Sequence, residues 1–169
     1  MSVLCANISW VNKRVSLLKL VCIGKLKKKS YLSLQHDFIE KINFYHSIEI
    51  KEIKEQAVPA QDNKAYFRKI LPQLYNHIKK DDYLILTDRK GKDISSRELA
   101  AFLKELQVKS YRPVFVCGGS IGLPGELKKK AAEVISFGKV TYPHKLFRII
   151  LLEQIYRALS INHNSSYHK

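Results

Sequence analysis

Two segments of the last third carry the residue types that chemistry needs. The first is Gly118-Gly119-Ser120-Ile121-Gly122-Leu123-Pro124-Gly125, directly after the apolar run Pro113-Val114-Phe115-Val116-Cys117. Glycines let a backbone approach a ligand with no Cβ in the way, and ligands of open α/β sheets bind at strand ends. The loop is not a known phosphate cradle. G-x-G-x-x-G fails because Cys117 stands where its first glycine belongs, and the spacing G-x-x-x-x-G-K-[ST] is absent. Alone, the loop reads equally well as a tight turn. The second segment is Ser136-Phe137-Gly138-Lys139-Val140-Thr141-Tyr142-Pro143-His144. Pro143 suits the first turn of a helix, and Thr141 is placed to cap it. Alone it is helix-start chemistry. Two such loops at the ends of two strands of one sheet make a pocket.

The tail adds a different chemistry. From residue 139 onward Lys139, Lys145, Arg148, Arg157 and Lys169 face one acid, Glu153. His144, His163 and His168 lie among them, and Tyr156 and Tyr167 offer planes for an unpaired base. Each has a bland reading as a solvated helix end or a structural histidine; the clustering favours contact with RNA. The runs at 25–29 and 128–130 are candidate phosphate contacts, which position a nucleic acid without reading it.

Bulk composition agrees. Of 169 residues, 30 are Lys or Arg and 15 Asp or Glu, a net charge of +15. Such a surplus raises affinity for polyanions, nucleic acid first because phosphate neutralisation releases counterions. The three cysteines, Cys5, Cys22 and Cys117, are widely spaced and form no CxxC. That argues against a disulfide framework or a zinc site and fits a reducing compartment, so the expectation is a cytoplasmic protein without a metal. No apolar run approaches a membrane span, and the run at 17–23 is interrupted by Lys19.

The elements that must position these residues follow from apolar periodicity. Strands are expected at 17–23, around Ile48, Ile50 and Ile53, at 83–86, at 113–117 and at 133–136. Helices are expected at 32–46, around Phe67–Ile78 with Pro72 kinking or dividing it, after a cap at Ser95 or Ser96, near 126–132 and at 144–161. Val58-Pro59-Ala60 breaks the chain, and Asp88-Arg89-Lys90-Gly91-Lys92 reads as a polar turn. Strands alternating with helices imply one α/β domain over 16–169, a parallel sheet with helices on both faces. Residues 1–15 form an extension with no clean period. The last helix is apolar around most of its girth, which calls for cover on two sides; a second subunit is the expected source.

These motifs, with Leu152-Glu153-Gln154-Ile155-Tyr156-Arg157-Ala158 and the ending Tyr167-His168-Lys169, resemble the SPOUT superfamily, and within it the pseudouridine-N3 methyltransferases of large-subunit ribosomal RNA. The match runs from about residue 17 to 169. Val21-Cys22-Ile23-Gly24-Lys25-Leu26-Lys27, Asp82-Tyr83-Leu84-Ile85-Leu86 and Gly91-Lys92-Asp93-Ile94-Ser95-Ser96 share in it. The resemblance implies a C-terminal trefoil knot, a homodimer, S-adenosyl-L-methionine as cofactor and 23S rRNA in the assembled ribosome as substrate. It implies cofactor contacts at Thr87, Gly118, Phe137, Gly138, Lys139, Val140, Thr141 and Tyr142, and an active site of Glu153, Arg157, Tyr167 and His168. There are departures. Thr87 replaces a usual Leu, Gly138 a usual Ser, and Asn162-His163-Asn164-Ser165-Ser166 stands where Gly and Pro are common. Other SPOUT substrates, such as tRNA, and a non-catalytic RNA-binding role remain open at this point.

Overall fold

A computed structural model describes residues 17–56 and 62–168. The extension at 1–15, Cys5, the break at Val58-Pro59-Ala60 and Lys169 lie outside those residues. The elements are β1 (Leu18–Ile23), α1 (Lys29–Tyr45), β2 (Ile48–Ile53), α2 (Asn63–Tyr75), β3 (Asp82–Asp93), α3 (Ser96–Val108), β4 (Arg112–Cys117), α4 (Gly125–Lys130), β5 (Glu133–Ser136) and α5 (His144–Asn162). The five strands form one sheet in the order β2-β1-β4-β3-β5, every pairing parallel. Helices cover both faces, as a parallel sheet requires. Leu18, Leu20, Phe115 and Ile85 pack with Ile42 of α1, Leu99 and Leu103 of α3 and Leu151, Leu152 and Ile155 of α5. On the other face Val21, Val114 and Leu86 pack with Ile70 and Leu74 of α2 and Leu127 of α4.

Local chemistry explains most boundaries. Lys19 sits inside a fully buried strand because its Nζ reaches the His77 carbonyl at 3.2 Å and Glu49 at 3.5 Å. Ser95 caps α3 with a reciprocal capping box to Glu98, satisfying two otherwise orphaned N–H groups.

Three sequence expectations are corrected. Pro72 does not divide α2, but the helix ends three residues after it, at Tyr75 rather than Ile78, as expected where a proline leaves the carbonyl four residues back without a donor. Residues 88–92 are not a turn. β3 continues through them to Asp93, and its pairing with β5 slips from Thr87↔Ile135 to Lys92↔Ile135. A polar outward face is compatible with a strand at the rim of a sheet. At Gly91 a Cβ would meet the backbone of Val134 and Ile135 at 2.7–2.8 Å, so only glycine lets β3 cross β5 there. Thr141 does not cap α5: Pro143 occupies that position, with no side-chain hydrogen bond.

The girth of α5 is answered largely within the chain. α5 packs against both α1 and α3, burying Ile149, Leu151, Leu152, Ile155, Ala158 and Leu159. The apolar girth therefore does not by itself call for a second subunit.

Candidate cofactor cavity and arginine cluster

The middle of β3 and the loops after β4 and β5 line a cavity of about 660 Å³, within the ~300–1,000 Å³ usual for small-molecule sites. Thr87, Gly118, Phe137, Gly138, Val140, Thr141 and Tyr142 line it. Lys139 is exposed and does not line it. The glycine loop is its floor on one side. Gly122 N–H donates to the Gly119 carbonyl at 3.1 Å, and the Ser120 hydroxyl donates to Glu55 Oε1 at 3.2 Å. The Tyr66 hydroxyl donates to the same Glu55 oxygen at 2.6 Å, so the loop is tied to the end of β2. Burial first, and then this bond to the carboxylate, push the Tyr66 phenol far above its ordinary value.

On the other side Ser136 Oγ bonds both the N–H of Gly138, at 3.1 Å, and its carbonyl, at 2.9 Å. Gly138 has φ +99°, a backbone that a serine there would adopt only under strain. The Thr87 hydroxyl donates to the Val116 carbonyl at 3.1 Å, which leaves this residue's backbone as its polar surface toward the cavity. Phe137, Phe147 and Tyr142 make an aromatic wall, with ring centroids 5.8 and 6.1 Å from Phe147. An adenine fits such a wall, and backbone amides around it can read its edge.

Sequence reasoning missed several lining residues. Asp88, Arg89 and Lys90 enter because β3 runs on, and Lys128 enters from α4 in an ion pair with Asp88. His144 and Phe147 come from the first turn of α5. Burial holds the His144 imidazole below its ordinary pKa. Cys117 lines the cavity and lies opposite Cys22 across β1–β4, where burial pushes the Cys22 thiol up. The spacing of residues gave no sign of the strand extension that brings Asp88 in.

The four residues of the implied active site form a separate group. Arg157 Nε and Nη2 donate to Glu153 Oε1 at 2.8 and 2.6 Å, and the Tyr167 hydroxyl donates to that oxygen at 3.1 Å. The guanidinium lies 4.6 Å over the Tyr167 ring, whose centroid is 4.6 Å from that of Tyr156. Arg157 Nη1 approaches His168 Nδ1 at 3.4 Å. Gln154 Nε2 donates to Glu153 Oε2 at 2.6 Å. The hydrogen bond to Glu153 is the chief cause raising the Arg157 pKa, and burial is the chief cause raising that of Tyr167.

This group does not line the cavity. Arg157 lies ten residues beyond Phe147 on α5, about 15 Å at the helical rise. Arg148, read above as one of the basic residues facing RNA, is 2% exposed and paired with Glu52. Among the described residues, no three His, Cys, Asp or Glu side chains are grouped to hold a metal, and no helix is long and apolar enough to cross a membrane.

A family model described as "Predicted SPOUT methyltransferase" matches residues 17–168. The ribosomal RNA large subunit methyltransferase H of Oenococcus oeni is 36% identical over 157 residues, covering 90% of this chain and 98% of the relative. Those of Lactobacillus acidophilus and Caldicellulosiruptor saccharolyticus are 35% and 36% identical, each over 90% of this chain and 99% and 100% of their own length.

Proposed function

The chain belongs to the SPOUT methyltransferase family, and from that premise we propose that it methylates N3 of a pseudouridine in 23S rRNA, using S-adenosyl-L-methionine on the assembled 70S ribosome in the cytoplasm. The observation that carries the reading is the cavity, in which β3 and two strand-end loops bring seven of the implied cofactor contacts together. We take residues 16–169 as one SPOUT domain with its C-terminal trefoil knot. The cofactor supplies an electrophilic methyl group on a sulfonium. Phe137, Tyr142 and Phe147 would hold its adenine against their wall, and Thr87, Gly118, Gly138, Val140 and Thr141 would surround it.

The cluster does the rest. Transfer to N3 would form an N–C bond as the sulfonium S–C bond breaks to leave a neutral thioether and the N3 proton departs, so the enzyme must orient the base, stabilise imide charge and take a proton. Orientation alone supplies ~7–11 kcal/mol. Tyr167 stacks on or orients the base. Arg157 stabilises the developing anion. Glu153 is occupied: Arg157, Tyr167 and Gln154 take its oxygens. It is a positioning residue. His168, held only by a loose 3.4 Å contact to Arg157, is within reach of the substrate base and serves as the proton acceptor.

Cluster and cavity are too far apart on one α5 to share a substrate atom. The reading therefore includes a homodimer in which the cluster of one copy completes the cavity of the other. Leu146, Ile150, Glu153 and Arg157 form the half-buried stripe of α5 that is left for the partner. The test is methyl transfer from labelled cofactor to 70S ribosomes, free 50S subunits and tRNA, with the modified nucleoside identified by mass spectrometry. N3-methylpseudouridine from 70S particles is expected. Label on tRNA alone, or cofactor binding without transfer, rejects the substrate.

A further inference from the structure

The basic loop between β1 and α1 is fixed more firmly than a solvated charge run requires. The Gly24 N–H donates to the Ile53 carbonyl at 2.7 Å, and the Leu26 N–H to Glu52 Oε1 at 3.1 Å. The Leu26 side chain turns inward, 6% exposed. From α5 the buried Arg148 donates to the Gly24 carbonyl, to Glu52 and, at 3.4 Å, to Gln35 of α1. Burying a guanidinium is costly unless its donors are met, and here they converge on this loop. What the loop presents outward is Lys25, Lys27 and Lys28, with Lys29 opening α1, all exposed. Among the described residues no carboxylate lies within ion-pair distance of any of the four. The loop also borders the cavity: a Cβ on Gly24 would sit 3.6 Å from Nε2 of the lining residue His144.

We propose that residues 25–29 are a phosphate dock for the RNA strand whose base meets the cavity, and that Arg148 is the positioning residue that fixes the dock beside it. This rests on the function proposed above. RNA is favoured over an anionic membrane because membrane-surface segments pair basic groups with apolar side chains that enter the bilayer. Leu26, the apolar residue of this loop, points the other way.

The test compares two variants of the full chain with equal loss of charge. One is Lys25→Gln/Lys27→Gln/Lys28→Gln/Lys29→Gln. The control is Lys69→Gln/Lys79→Gln/Lys80→Gln/Lys104→Gln, at exposed positions on other elements. Binding to a short unstructured RNA and to 70S ribosomes is measured across KCl concentrations, beside vesicles containing phosphatidylglycerol. Each lost phosphate contact lowers the salt slope by ~0.7 on single strands. The loop variant should lose about 2–3 in slope and at least about tenfold in affinity, while the control stays within about threefold and both keep wild-type cofactor affinity. A loop variant that tracks the control overturns the dock, as does one that loses vesicle binding alone. If wild-type protein neither binds RNA nor methylates it, the proposed function itself fails. Arg148→Lys keeps the charge but not the fork; it should speed hydrogen exchange at the Leu26 amide and lower the slope toward that of the loop variant. Should it not fold, Glu52→Gln, which retains an acceptor for that amide, gives the same readout. Wild-type exchange and slope in a folded variant overturn the positioning role.

Discussion

Strand-end loops line much of the cavity, at residues 118–122, 136–138 and 140–143, whereas the group around Arg157 is made of side chains on one helix and a returning tail. The difference separates two tasks. In the proposed function, a cofactor that is always the same would be held by fixed strand ends and glycines. A base that must lose a proton needs charge, a ring and an imidazole that can shift. Changes in the first region should therefore move cofactor affinity, and changes in the second should move turnover.

Arg157→Ala gives the sharpest separation. It should lower kcat by about 10²–10³-fold, the usual cost of losing one electrostatic donor, while calorimetry shows unchanged cofactor affinity; a large loss of affinity would merge the two regions. His168→Ala comes next, at about 10²-fold in single-turnover rate. Glu153→Gln should lose only about tenfold, since a glutamine still accepts from Arg157 and Tyr167. Equal losses, with the same flattened pH profile in both, would return the base role to Glu153. On the cavity side, Phe137→Ala should weaken cofactor binding by about tenfold, within the ~1–3 kcal/mol of base–aromatic stacking, and leave kcat at saturation unchanged.

The smallest effect is on pH. His144 has a folded pKa depressed by burial, so the unfolded chain binds more protons below the ordinary histidine value. Stability must then rise with pH through that window and fall as pH drops toward the folded pKa. His144→Gln should shrink the difference in Tm between pH 7.5 and pH 5.5. An unchanged difference assigns the acid sensitivity elsewhere.

Much of the frame was legible because its signals are local. The apolar runs of β1 and β4, and Ser95 with Glu98 three residues on, fix their elements without help from afar. What escaped depended on distant partners. Residues 88–93 look like a turn until β5 pairs with them across Gly91. Arg148 counts as surface charge until Glu52 and the Gly24 carbonyl bury it. The apolar girth of α5 pointed to a second subunit, although α1 and α3 supply most of its cover. The loops at 118–125 and 136–144 stand out by residue type and strand-end position, but the individual cofactor contacts come from the resemblance, since the glycine loop fits no phosphate spacing. That Glu153 is saturated by its neighbours is a matter of distances, which spacing does not carry.

The central claim is that cavity and cluster are halves of one site that meet across two subunits. Subunit mixing tests it directly. Arg157→Ala protein keeps its cavity, and a Gly118→Trp variant, with its cavity filled, keeps its cluster. Each alone should be nearly inactive on 70S ribosomes. After unfolding and joint refolding, statistical pairing makes about half the dimers mixed, each with one complete site, and activity should return to about a quarter of wild type. Mixed dimers that form, by affinity tag, yet show no recovery would place cavity and cluster in the same subunit and contradict the account.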